Sequence, residues 1–139
     1  MKRWILCFAA GIVTSVVANY AHHSISGAYD TRQHVTIEGI VNQFQFINPH
    51  PFLTMDVEGN DSGQSAQSAQ RWRLEMDNRS ELSQIGMTGQ TLKQGDRIIV
   101  TGSPARAQPQ SLYISRLDRP ADGFRYEQIG SSPRIRFQP

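Results

Sequence analysis

The strongest constraint in this chain is a two-residue rhythm of apolar and polar side chains, carried by runs too short to be helices. In Phe52 to Val57, Leu53, Met55 and Val57 alternate with Phe52, Thr54 and Asp56. In Arg71 to Met76, Trp72, Leu74 and Met76 face one way, and Arg71, Arg73 and Glu75 the other. Successive side chains of a strand point to opposite faces, so each run predicts a strand with one buried face. Val35 to Phe46, rich in β-branched and aromatic residues, predicts a long first strand that bends at Gly39, where the missing side chain allows strong coiling. Arg97 to Gly102 and Ser111 to Leu117 supply two more strands.

Between the third and fourth of these, Asn78 is followed three places later by Glu81, a pairing that satisfies free backbone amides at a helix start. Leu82, Ile85 and a terminating Gly86 complete a short helix. The expected fold is therefore all-β with one short helix. Three strands, a helix and two strands are the order of a five-stranded oligonucleotide/oligosaccharide-binding (OB)-like β-barrel. A coiled first strand suits that barrel, because it must serve both halves. Gly59 to Gln70, with a doubled Ser-Ala-Gln and no large apolar side chain, is expected to be a mobile hairpin loop. Residues 118–139 are dense in prolines and glycines and predict an irregular tail, with one short strand around Phe124 to Tyr126.

Residues 1–21 form a separate unit. Lys2 and Arg3 precede an apolar run from Trp4 to Ala18, followed by small residues, which is the layout of a secretory signal peptide cleaved after Ala18 or Ala21. The run falls short of the roughly 20 apolar residues that a spanning helix needs, so export without a stable membrane anchor is expected, to the periplasm or beyond. The sole cysteine, Cys7, lies in this leader, so neither disulfides nor thiolate metal sites are available to the exported chain. The 14 basic and 12 acidic residues give a net charge of +2; without Lys2 and Arg3 it is 12 against 12. A neutral exported protein argues against a nucleic-acid partner, although Arg125, Arg134 and Arg136 interleave with Phe124, Tyr126 and Phe137. The unit 22–117 is then one small barrel domain with a single core.

Its candidate chemistry lies in imidazoles. His50 stands between Pro49 and Pro51 in the connection of the first two strands, at the barrel mouth where such folds bind ligands. Prolines on both sides restrict the backbone, so the loop loses little entropy in holding one shape. His22 and His23 lie close to the expected new amino terminus and can offer imidazole nitrogens, with the terminal amine, to a borderline metal such as copper or zinc. Asp30, Glu75 and Asp77 are candidate carboxylate ligands or orienters of an imidazole. His34 opens the first strand and reads as structural, and Trp72 reads as core. No nucleophile elbow, phosphate-cradling glycine loop or helical His-Glu-His pattern is present, so no catalytic residue is assigned.

Ala21-His22-His23-Ser24 with Tyr29-Asp30 following, Asn48-Pro49-His50 between two strands, the Trp72 to Glu75 strand and Leu92 to Arg106 together resemble the bacterial exported family known as domain of unknown function 6152. The likeness spans roughly Ala21 to Leu117 and implies a signal peptide, a barrel, and a shared site at His22, His23, Ser24, Asn48, His50 and Glu75. It departs from the family pattern after Glu75 and at the end of the fifth strand. Three functions follow as expectations. The leading one is a non-enzymatic binding domain in which His22, His23 and His50 hold a divalent metal, or Ser24, Asn48, His50 and Glu75 a small polar ligand. The second is an accessory subunit that docks on a periplasmic or membrane enzyme. The third is a hydrolase-like enzyme with His50 as base and Glu75 as its orienter.

Overall fold

The computed structural model describes residues 25–58 and 69–138. A single turn of helix, α1 (Ile25–Ala28), leads into five strands: β1 (Val35–Gln45), β2 (Phe52–Val57), β3 (Gln70–Glu75), β4 (Arg97–Pro104) and β5 (Ser111–Arg119). A short helix, α2 (Arg79–Gln84), stands between β3 and β4. The pairing is antiparallel for β1 with β2 and β4, β2 with β3, and β4 with β5, and parallel for β3 with β5. That last pairing closes the sheet on itself, which makes the five strands an OB-like barrel.

Closure depends on β1 serving two partners. Val35 to Ile40 pair with β4, Ile40 to Gln45 pair with β2, and the register shifts between Val41 and Gln43. Gly39 sits at this changeover, where an added Cβ would run into the carbonyl oxygen of Asp56. The two backbones can approach only because nothing projects from Gly39.

The alternation read from the sequence sorts inside from outside as expected. Leu53, Met55 and Leu74 are fully buried, as are Ile98, Val100, Leu112 and Ile114, while Phe52, Thr54, Arg71 and Arg73 face outward. Trp72 packs against this core, although it is only partly buried. Helix α2 plugs one end with Leu82. Half of the expected cap forms: the Asn78 side chain accepts from the Ser80 amide at 2.8 Å, while the Asn78 amide donates to Asp77 at 2.7 Å in place of Glu81. Gly86 follows the helix with φ of +97°, a conformation that favours glycine.

The C-terminal segment corrects the sequence reading. Instead of an irregular tail with one strand, it extends β5 to Arg119 and adds a hairpin of β6 (Phe124–Ile129) and β7 (Ser132–Phe137), so the sheet has seven strands. Phe124 and Tyr126 are buried in the main core and Arg125 lies between them on the other face. Ile129 pairs with Ser132 across a two-residue Gly130-Ser131 turn, a hairpin signal that the surrounding punctuation obscured. Pro133 is tolerated because β7 is an edge strand with one partner. The Gly59 to Gln70 loop lies largely outside the described residues, but the β2–β3 pairing makes it a hairpin connection. Among the described residues, no helix is long and apolar enough to cross a membrane.

Replacing Gly39 by alanine forces β1 and β2 apart at the changeover. The expected cost is about 1–3 kcal/mol, the range for overpacking. Urea denaturation checks it, and an unchanged midpoint would show that the close approach is dispensable.

Candidate functional site

The mouth of the barrel is built by the β1–β2 loop, the end of β3 and the start of α2, with Tyr29 and the beginning of β5 alongside. The loop, residues 46–51, is held by three backbone-directed bonds from the chain that follows β3. The Met76 amide donates to the Pro51 carbonyl at 2.9 Å and the Arg79 amide to the Pro49 carbonyl at 3.0 Å. The Arg79 guanidinium donates from Nε to the Phe46 carbonyl at 3.0 Å and lies over the Phe46 ring. Two prolines and these three bonds leave His50 little freedom.

The His50 ring is oriented by a backbone carbonyl. Nδ1 lies 3.1 Å from the Met76 oxygen, an atom that can only accept, so Nδ1 carries the proton and Nε2, without a hydrogen bond among the described residues, keeps its lone pair for a ligand. Glu75 is 3.8 Å from the same Nδ1. Its closer partner is Tyr29, whose hydroxyl donates to Oε2 at 2.6 Å. Glu75 thus holds Tyr29 with one oxygen and stands within ion-pair distance of His50 with the other, while the Met76 carbonyl makes the shorter contact to the ring.

Tyr29 is delivered by the amino-terminal segment, which is strapped to the β4–β5 loop. The Asp30 amide donates to Pro104, and the Arg106 amide to Ala28. Asp30, considered from sequence as a site carboxylate, belongs to this strap: it accepts from the Arg32 and Gln33 side chains and from Arg106. The Arg32 guanidinium, with Gln33, holds the Asp30 carboxyl down at about 2.

Beside Tyr29 stands Tyr113, which pairs with Glu75 across the parallel β3–β5 closure. It is 6 % exposed, and its hydroxyl has no hydrogen-bond partner among the described residues. Burial first, then the negative charges of Asp77, Glu75 and Glu81, push that phenol well above the usual tyrosine range. The Glu81 carboxyl is raised first by the charge of Asp77, then by its own partial burial and a hydrogen bond with Asp77, while His50 opposes the rise. Gln128 of β6 donates to Asp77 at 2.6 Å and accepts from the buried Tyr126 hydroxyl at 2.9 Å.

Among the described residues the mouth therefore gathers one imidazole, three carboxylates and an unsatisfied buried hydroxyl. Glu81, Tyr29 and Tyr113 were not singled out from sequence as site residues. Glu81 read as a helix-start residue, and nothing local distinguishes a tyrosine whose partner lies 46 residues away. Asn48 is exposed on the loop and His34 is exposed just before β1. His22, His23 and Ser24 lie outside the described residues. Among the described residues, no three His, Cys, Asp or Glu side chains are grouped to hold a metal ion, so His50 lacks a ready-made set there.

This topology and mouth define a small OB-like barrel domain carrying two additional strands. The chain belongs to a family of unknown function, DUF6152, whose pattern matches residues 10–112. No curated protein matches it. Among solved structures, it is similar to the mitochondrial single-stranded DNA binding protein Rim1 of S. cerevisiae, at 13% identity and a TM-score of 0.44 over 62% of this chain and 91% of that one.

Two measurements probe the mouth and its strap. Tyr29→Phe removes the donor to Glu75 and is expected to cost about 1.5–3 kcal/mol, the range for a hydrogen bond to a charged group; chemical denaturation measures it. Because the Asp30 carboxyl is depressed when folded, its contribution is fully present above the ordinary aspartate pKa of about 4 and is lost as pH falls toward 2. Asp30→Asn should flatten the acid limb of a stability-against-pH curve in that window, and an identical limb would contradict the pairing.

Proposed function

We propose that the protein is an exported binding domain, directed to the periplasm by residues 1–21, that takes up a divalent cation such as copper or zinc at the barrel mouth. His50 Nε2 is the anchoring donor. The observation that carries this reading is the Nδ1 contact to the Met76 carbonyl, which leaves the other ring nitrogen available on a loop that cannot easily move. Metal-bound histidines ordinarily have their second nitrogen held in this manner. Three neighbouring carboxylates favour a cation over an anion.

The remaining donors come from the amino-terminal segment. His22 and His23 precede Ile25 by three residues and two, and a chain reaches at most about 3.6 Å per residue. The same segment continues directly into Tyr29, whose hydroxyl is on Glu75. Asn48, exposed on the loop, supplies a polar group for the same ligand, and Ser24 is a further donor from the amino-terminal segment.

Calorimetric titration of the exported chain with copper and zinc tests the assignment. His50→Ala and the His22→Ala/His23→Ala pair should each weaken binding at least about tenfold, equivalent to 1.4 kcal/mol. Equally weak binding by all three proteins would reject it.

A further inference from the structure

A second feature lies on the outward side of the sheet and shares no residue with the mouth. The strand registers align side chains in two rows. One runs Thr36, Thr101, Arg116, Glu127 and Arg134; the next runs Glu38, Ile99, Asp118, Arg125 and Arg136. Between the outer face of β4–β5 and the β6–β7 hairpin is an open groove of about 510 Å³, whose walls include Thr36, Thr101, Arg116, Asp118, Arg125 and Gln138. The family match stops at Leu112, so the hairpin side of the groove comes from sequence beyond it.

The charges in the groove do not balance. Arg116 donates from Nε to one oxygen of Asp118 at 2.6 Å, and Arg125 donates from Nε to the other at 2.6 Å. Two guanidiniums thus share one carboxylate, with a net charge of +1. The terminal nitrogens of Arg125 and Nη1 of Arg116 have no protein hydrogen bond among the described residues. Arg119, also on the groove, differs: Asp96, Asp122 and the Thr91 carbonyl occupy its donors.

Arg125 is held in place, since its side chain is only 19% exposed. The hydroxyls of Thr36 and Thr101 lie 2.9 Å apart on the same wall, one donating to the other, so the pair keeps one hydroxyl proton to donate. Planar guanidiniums with free terminal N–H groups fit tetrahedral oxyanions in forked, charge-assisted contacts.

We propose that this groove binds a phosphate monoester, its oxygens on Nη1 of Arg116, the terminal nitrogens of Arg125 and one hydroxyl of the Thr36–Thr101 pair. Asp118 is the resident counter-ion that competes with the ligand for both arginines. The bound group can be a soluble ester or the headgroup of a lipid, and the chemistry recognised is the same.

The test is titration of the protein with glycerol 3-phosphate at constant ionic strength, beside sedimentation with phosphatidylcholine vesicles that contain or lack phosphatidic acid. Saturable binding of the soluble ester supports a solution ligand. Capture by the phosphatidic acid vesicles alone supports the lipid headgroup. Arg116→Gln/Arg125→Gln should abolish either signal, with circular dichroism confirming the fold. Asp118→Asn keeps both arginines and removes the competing carboxylate, so it should tighten binding several-fold. Absence of both signals overturns the proposal, as does binding that is unchanged in the arginine pair or weakened in a folded Asp118→Asn.

Discussion

The parallel pairing of β3 with β5 is the contact on which the rest of the molecule depends. It joins Arg73, Leu74 and Glu75 to Ser111, Leu112 and Tyr113 and turns an open sheet into a barrel. Without it, Leu74 and Leu112 would lose the enclosed interior that leaves them fully buried. The closure is possible only because β1 coils enough to pair with β4 along one half and β2 along the other, and that coil passes through the one position where the Asp56 carbonyl would collide with any side chain. A single missing methyl group in β1 thus has its consequence on the far side of the barrel.

The same closure sets the chemistry of the mouth. Pairing Glu75 with Tyr113 brings a carboxylate beside a phenol that is shut away from solvent, and Tyr29 arrives to occupy the carboxylate. The proline-flanked loop is rigid for two reasons that act together. Its own residues restrict the backbone, and its carbonyls receive the amides and guanidinium of Met76 and Arg79. Helix α2 therefore does more than plug the barrel: its first residue fastens the loop that presents His50.

The two sides of the molecule carry opposite electrostatic character although the whole chain has a net charge of only +2. Three carboxylates crowd the mouth, while arginines outnumber acids on the outer faces of β5, β6 and β7. The hairpin contributes to both. Gln128 steadies Asp77 at the mouth, and Arg125 completes the cationic pair in the groove. A segment that looks like an appendage in the sequence is thereby part of the core through Phe124 and Tyr126 and part of each charged surface through its outward residues.

The sequence by itself determined the strands, because a two-residue period is a local property that survives in any fold burying one face of each run. It also specified the helix start at Asn78, the bend at Gly39 and a stiff loop around His50, all of which follow from backbone chemistry within a few residues. The β6–β7 hairpin carried a Gly-Ser turn signal but was hidden by Pro133 and the arginines, whose tolerance depends on lying at an exposed edge. Only the tertiary structure decided that Glu75 receives Tyr29 while standing beside His50, that the Met76 carbonyl contacts the imidazole, and that Asp30 fastens the amino-terminal strap. Those pairings join residues tens of positions apart, and strand register, which no local pattern records, chooses which side chains meet.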